Sequence, residues 1–457
     1  MVQKNEQYKV LIEGNGAMGE GIAKIDGFTV FVANGVEDDR AIIQILKVKK
    51  SYAWAKIVSV LENSPKRGEN PCQVSGKCGG CQMLHFQYAE QLAFKRRRVV
   101  DTLERIGGFS EVKVEDCLPS IQQFHYRNKM IFPIGQNQDG GAMFGFYAPR
   151  SHRIIPLEEC LLCSPEGTQI AQYVCSFMNQ YGLVPYDERT GTGLVRRLFL
   201  RQTQNTKEIM VVLSINGEAL PRKQEFLTGL LAKNKNVTSV ILNINQGTGA
   251  AVLGEHNITL WGKDRIEENL LGLSFFISPH SFYQVNSATM ELLYQKVLEF
   301  ASLTGTERIF DLYCGIGTIS LCAAKQAKSV IGIEVVEQAV IDARENAQRN
   351  NLTNAVFHAG DAAVIMPKLC QAGEKADVVI LDPPRKGSDE ETLSAILEVS
   401  PSRIVYVSCD PATLARDLRF LVDGGYEIKI VQPVDMFPHT AHVECIILMT
   451  NCGQKEK

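Results

Sequence analysis

Among the 457 residues no apolar run approaches the roughly 18 residues that a membrane-spanning helix needs. The first ten residues, Met1 to Val10, lack the hydrophobic centre of a signal peptide. Both absences predict a cytoplasmic chain with no membrane partner. The sequence also lacks low-complexity tracts, and neither charge sign prevails, the formal net charge being −3. A hydrophobic share of 45% with 22% charged residues excludes a disordered chain, a collagen-like repeat and a coiled-coil rod. The length leaves room for about three domains of ~150 residues, each able to bury a core of its own.

The near-neutral average hides an uneven distribution. Between Arg40 and Arg105 stand thirteen Lys or Arg against five Asp or Glu, a local basic segment of the kind a polyanion partner requires. Cysteine is abundant, at thirteen residues. In a cytosolic chain that number points to metal ligands, catalytic thiols or core packing rather than to disulfides.

Three regions differ in pattern. Residues 1–64 alternate short β-type runs, Tyr8–Ile12, Phe28–Val32, Ala41–Leu46 and Ala53–Val58, with turns holding Gly14, Gly16, Gly19, Gly21 and Gly35, which predicts a small antiparallel β-barrel. Through Gly14 to Gly21 followed by Val30-Phe31-Val32 this segment resembles a TRAM domain, and RNA contact is the role that implies. Residues 65–277 hold a cysteine-rich loop, a helix near Gln91 to Ile106 and mixed strands and helices without βα alternation, an α+β region. Residues 278–457 repeat strand, turn and helix, and the apolar strands at Arg308–Leu312, Ser329–Ile333, Asp377–Leu381 and Arg403–Val407 suit a buried parallel sheet. The predicted class is α/β, with a C-terminal doubly wound, Rossmann-like domain.

In that last region Asp311-Leu312-Tyr313-Cys314-Gly315-Ile316-Gly317-Thr318 follows a strand and precedes a helix, where glycines let a cofactor approach the backbone. Ser320 occupies the place of a third glycine, which disfavours a pyrophosphate site. Glu334 ends the next strand, 19 residues past Gly315, and Asp361 follows the strand after it. These acidic groups suit ribose hydroxyls and an adenine amine, and a cationic nucleoside such as S-adenosylmethionine better than a diphosphate. Each taken singly also reads as an ordinary strand-end or cap carboxylate.

Asp382-Pro383-Pro384-Arg385-Lys386-Gly387 closes a further strand at the same sheet edge, and the two prolines stiffen it. Cys409 stands at the tip of the following strand, ahead of a helix beginning near Pro411 whose N-terminus is expected to lower the thiol pKa. Glu444 enters the apolar strand Cys445–Leu448, an expensive place for an idle charge and a suitable one for a general base. Cys175, Cys322 and Cys370 read as packing.

Together with Phe282-Tyr283-Gln284-Val285-Asn286, Ser408 to Asp417 and Asp435 to Glu444, these motifs resemble the RNA uracil-C5 methyltransferase family over nearly the whole chain. The resemblance implies a monomeric enzyme with Cys409 as nucleophile and Glu444 as base. Gln284, Tyr313, Glu334, Asp361 and Asp382 would line the cofactor and base pocket, and the RNA would be 23S ribosomal RNA, with tRNA as the alternative. Two rival readings are methylation at cytosine C5, which the Asp382 to Arg385 motif opposes, and an inactive RNA-binding protein, which the intact Cys409 and Glu444 oppose.

The loop carrying Cys72, Cys78 and Cys81, spaced C-x5-C-x2-C among Gly76, Gly79 and Gly80, implies a metal. By the resemblance this is a 4Fe-4S cluster completed by Cys160, with Cys163 as near rival. Zinc held by the three thiols and His85 is the alternative that spacing allows. Next to the loop, Phe94-Lys95-Arg96-Arg97-Arg98-Val99 is expected to present a basic helix face to phosphate.

Overall fold

The computed structural model describes residues 2–249 and 251–453. At the N-terminus six strands form one sheet in the order Gln7–Leu11, Arg40–Val48, Tyr52–Glu62, Phe28–Ala33, Gly21–Ile25 and Gly14–Asn15. Register shifts in the long hairpin of Arg40–Val48 with Tyr52–Glu62 bend it, as bulges do, so that the sheet curls over Val10, Ile12, Val30, Val32, Ile43 and Ile45. Two of these strands lie in the stretch read as glycine turns. Gly21 begins one of them because a Cβ there would lie 2.9 Å from the Gly35 backbone.

The middle of the chain builds a seven-stranded sheet around Val195–Gln202, Ile209–Ile215 and Val237–Ile244, the last two parallel and joined through the helix Lys223–Lys233. Between the first two regions lies helix α1 (Tyr88–Arg105). Its apolar residues Val99 and Leu103 join the core of the third region rather than that of the central sheet.

That third sheet has strands β1 (Arg308–Leu312), β2 (Ser329–Glu334), β3 (Ala355–Ala359), β4 (Val378–Leu381), β5 (Arg403–Ser408), β6 (Tyr426–Val434) and β7 (Glu444–Asn451), in the spatial order β3-β2-β1-β4-β5-β7-β6. β1 to β5 are parallel and β7 is antiparallel to both neighbours. Alternate residues feed two apolar layers: Ile309, Val378, Ile380 and Val405 face the helix Ser287–Ala301, while Phe310, Val379, Leu381 and Ile404 face α1 and helix α2 (Pro411–Asp423). Burial on both faces is why these strands read as largely apolar runs, broken in β1 by the buried Asp311. The chain leaves β1 toward β2 and returns on its other side as β4, so the crevice of this sheet opens above the carboxyl ends of β1 and β4. Among the described residues no helix is long and apolar enough to cross a membrane.

Candidate active site

The turn after β1 winds through three left-handed residues, Tyr313 (φ 62°), Gly315 (φ 54°) and Gly317 (φ 81°). For Tyr313 this conformation is costly, and the bond between its hydroxyl and Ser388 Oγ at 2.8 Å helps hold it. A Cβ on Gly315 would meet nothing within 4 Å, so the turn faces open space where a ligand can lie against the backbone. Glu334, at the end of β2, accepts from the N–H of Gly315 (3.1 Å) and of Val336 (2.9 Å), which ties the turn to the strand beside it. Asp361 is exposed and caps the helix Ala362–Gln371, accepting from Ala363 N at 2.8 Å; its visible role is the structural one. Gln284 is buried in the segment between Ser278 and Asn286. Asn128 of the central region pins that segment by donating to Gln284 O (2.7 Å) and to Ser287 Oγ (2.8 Å), and Arg201 donates to Ser281 O at 2.8 Å. Neither Asn128 nor Arg201 had a local sequence signal, because each acts across the fold.

Asp382 follows β4, and its backbone N–H reaches Leu312 O of β1 at 3.4 Å. Beyond it the loop is fixed on α2: Asp417 accepts from Ser388 N (2.8 Å) and from the Tyr406 hydroxyl (2.6 Å), and Arg416 donates to Lys386 O (3.1 Å) and Ser388 O (3.0 Å). The β5–β7 ladder pairs Ser408 with Cys445, so one step further along the same register Cys409 stands opposite Glu444. Asp382 and Arg385 exert their charge on both. Cys409 is half-buried, whereas Glu444 is 2% exposed and its Oε2 has no hydrogen-bond partner. Burial, with Asp382 adding to it, raises the Glu444 pKa well above the carboxylate range.

The expectation of a lowered Cys409 pKa is overturned. Burial, together with the Glu444 and Asp382 carboxyls, pushes the thiol up to about 12. The helix N-terminus does not counter this because Asp410 already caps it, accepting from Ala412 N at 2.8 Å and Thr413 N at 3.4 Å, and so sets a negative group beside the sulfur. Asp311 and Asp382 are likewise raised, each to about 7, by desolvation.

Residues 303–428 match the methyltransferase-domain family and residues 2–58 the TRAM-domain family. An uncharacterised RNA methyltransferase of Clostridium tetani is 44% identical over 456 residues, spanning 100% of this chain and 99% of its own length. One from Halalkalibacterium halodurans is 44% identical over 448 residues, 98% of each. The chain belongs to the TRAM-containing RNA methyltransferases. Among solved structures, the Pyrococcus abyssi tRNA (uracil-54, C5)-methyltransferase in complex with S-adenosyl-L-homocysteine superposes with a TM-score of 0.78 at 28% identity, covering 97% of this chain and 99% of that one.

In this RNA methyltransferase the basic run of α1 is not the phosphate-facing stripe expected. Lys95 is fully buried in an ion pair with Asp435 and also donates to Phe437 O at 3.0 Å. Arg98 donates to Ala441 O, and Arg96 to Val114 O at 2.9 Å. Only Arg97 stays largely in solvent, 3.8 Å from Glu37. Beside them Gln91 accepts from His439 N at 2.9 Å, and Tyr88 donates to Asp435 Oδ2 at 2.9 Å. Lys95 and Arg98 therefore clamp residues 435–441, the loop that leads to Glu444.

The cysteines of this methyltransferase are all unpaired. Cys72, Cys78, Cys81, Cys160 and Cys163 line a single cavity of about 50 Å³, several times the ~10–15 Å³ that one water needs. Among the described residues no three potential ligands converge as a site for one ion. His85 is not in the lining; it lies beside Phe86 and under the influence of Arg67 and Asp39. Cys160 differs from its neighbours. A hydrogen bond from the Cys163 thiol, against the cost of burial and with backbone N–H donors of Leu162 and Cys163, lowers its pKa to about 6, whereas burial raises Cys81 to about 12. Residues 125–128 join this cavity to the cleft: His125 N donates to Leu161 O (2.7 Å), Arg127 N to Leu162 O (3.0 Å) and Asn128 N to Val285 O (2.8 Å).

Proposed function

We propose that the protein transfers a methyl group from S-adenosylmethionine to C5 of a uridine in structured RNA, with 23S ribosomal RNA as the substrate. The observation that carries this reading is the juxtaposition of Cys409, one residue beyond the Ser408–Cys445 pair, with Glu444 at the head of β7, both under the influence of Asp382. Uracil C5 is a weak nucleophile until a thiolate adds at C6 and turns the ring into an enolate. Cys409 supplies that sulfur, its thiol proton passing to the neighbouring Asp382 carboxylate as the bond to C6 forms. The donor, when bound, supplies an electrophilic methyl group, and the open Gly315 turn held by Glu334 suits a cationic nucleoside, with Gln284, Tyr313, Asp361 and Asp382 as the further residues that would hold it. Once C5 carries the methyl, its proton must leave so that the C6–S bond can break; the Oε2 of Glu444, in its ionised form, is the acceptor, the C5–H pair closes the C5–C6 double bond and the C6–S pair returns to the Cys409 sulfur. A uridine in folded RNA has to be unstacked to reach so recessed a thiol.

The cysteine cavity fits a 4Fe-4S cluster held by Cys72, Cys78, Cys81 and Cys160, with Cys163 as hydrogen-bond donor to the Cys160 sulfur. Thiols arranged around a void suit a polynuclear cluster. A single zinc ion needs every sulfur at ~2.3 Å from one point, and His85 lies elsewhere.

RNA carrying 5-fluorouridine tests the mechanism, since fluorine at C5 cannot be removed as a proton. A covalent complex mapped by mass spectrometry to Cys409 is expected, and attachment at any other side chain refutes the mechanism. The second reading is a tRNA substrate, favoured by the likeness to the Pyrococcus abyssi enzyme. Mapping 5-methyluridine in ribosomal and transfer RNA from cells with and without the gene separates the two.

A further inference from the structure

The outer face of the N-terminal sheet carries an aromatic cluster that the methyl-transfer site does not use. Phe31 and Trp54 are direct partners on the parallel strands Phe28–Ala33 and Tyr52–Glu62, with ring centroids 5.1 Å apart and planes inclined by 32°. Tyr52 stands edge-on to both, at 5.6 Å from Phe31 and 6.3 Å from Trp54. All three remain partly in solvent, while their strand neighbours Val30, Val32, Ala53 and Ala55 are buried on the other face. Rings on the solvent side of a sheet add nothing to its core.

Their surroundings are cationic. Lys47 pairs across the ladder with Trp54, and Lys56 follows Trp54 by two residues on the same face. Neither lysine takes part in an ion pair among the described residues. From the central region Arg150 reaches over, its guanidinium 5.0 Å from the Trp54 ring centre. An apolar protein partner would not call for three cations around the rings. A strand of nucleotides requires both features: flat faces for bases and positive charge for the phosphates between them.

We infer that Phe31, Tyr52 and Trp54, with Lys47, Lys56 and Arg150, form a stacking platform for unpaired bases of the RNA substrate, away from the uridine pocket. The inference rests on the reading of RNA as substrate and gives this face a preference for single-stranded segments flanking the target. Such contacts tolerate any base, so the platform adds affinity and register without reading sequence.

Trp54 makes the test direct, because the chain has two tryptophans and Trp261→Phe leaves Trp54 as the sole reporter. Titrating that variant with a single-stranded oligouridylate should quench its fluorescence, and a duplex of the same length should quench it far less. In the parent chain Trp54→Ala should weaken binding of folded RNA on the order of 10-fold, roughly one stacked base, with S-adenosylmethionine affinity unchanged. Should Trp54→Ala fail to fold, as far-UV circular dichroism would reveal, the surface pair Lys47→Glu with Lys56→Glu takes its place and should weaken binding and flatten its salt dependence. Absence of quenching by single-stranded RNA, or unchanged RNA affinity in the folded variant, overturns the inference. Adduct formation with a short 5-fluorouridine oligonucleotide is scored separately, so that failure of the platform and failure of the uridine mechanism give different results.

Discussion

Two thiol environments in this protein are tuned in opposite directions. At the cysteine cavity, the Cys163 thiol and backbone N–H groups of Leu162 and Cys163 donate to Cys160, and hydrogen bonding to the charged form outweighs burial, bringing the pKa to about 6. At the cleft, carboxyl groups surround Cys409 and burial dominates, bringing it to about 12. On the cluster reading proposed above, the lowered pKa suits a sulfur that is to ligate as a thiolate. On the proposed mechanism a raised pKa suits a sulfur that is to attack only once the RNA base is seated, and burial raises the carboxyl of Glu444 beside it as well.

The largest expected effect tests the cleft. Cys409→Ser should abolish turnover while leaving S-adenosylmethionine binding intact, measured by methyl incorporation and by calorimetry. Glu444→Gln should slow turnover by about 10²–10⁴-fold and let a uridine adduct accumulate on Cys409, because elimination lacks its proton acceptor. A freely turning over Glu444→Gln enzyme would assign the base elsewhere.

Next comes the cavity. Protein purified without air should contain iron and be coloured; Cys160→Ser should lose most of that iron, and Cys163→Ala should retain it but bind it less firmly. Since residues 125–128 connect the cavity to the Gln284 segment, iron loss should also weaken S-adenosylmethionine binding, read by calorimetry on iron-loaded and iron-free protein. A colourless, iron-free preparation rejects the cluster.

The contrast between the two sulfurs can be read directly by iodoacetamide labelling of metal-free protein across pH. Cys160 labelling should reach its plateau by about pH 7. Cys409 labelling should climb about tenfold per pH unit from 7 to 10, as the thiolate fraction does far below its pKa. Parallel profiles would remove the distinction drawn above.

Much of the cleft was legible because its residues sit at fixed offsets from strand ends. Asp382 after Val378–Leu381, Cys409 after Arg403–Ser408 and Glu444 at the head of β7 could each be placed by finding an apolar run and looking one residue past it. What could not be read was anything that depended on a partner far along the chain. Lys95 and Arg98 looked like a basic face because the sequence shows neither Asp435 nor the Ala441 carbonyl, more than 300 residues on. The amphipathic pattern of α1 announced a buried face without saying which sheet would bury it. Cys409 was misjudged for a related reason: a helix N-terminus was visible, but Asp410 was not recognised as the cap that occupies it. Gly21–Ile25 was hidden by glycines that serve close backbone approach rather than a turn.

The smallest expected effect concerns stability and follows from the same burial of carboxyl groups in the cleft. Asp311 is 1% exposed, and its carboxyl is raised to about 7, from roughly 3.9 in an unfolded chain, by desolvation that the bond from Ser320 Oγ only partly offsets. Between about pH 4 and pH 7 the folded chain therefore holds a proton that the unfolded chain has released. Stability through this group is greatest below pH 4, falls as pH rises to 7, and is constant above it. Asp311→Asn keeps an oxygen to accept from Ser320 and cannot ionise. Its Tm should exceed that of the parent by a few degrees at pH 8, and the gain should disappear by pH 4. Asp382 shares the shift, so some pH dependence should survive in the variant. A variant that melts no higher than the parent at pH 8 would mean that Asp311 is better solvated than its burial implies, and desolvation would then not be what sets the cleft apart from the cysteine cavity.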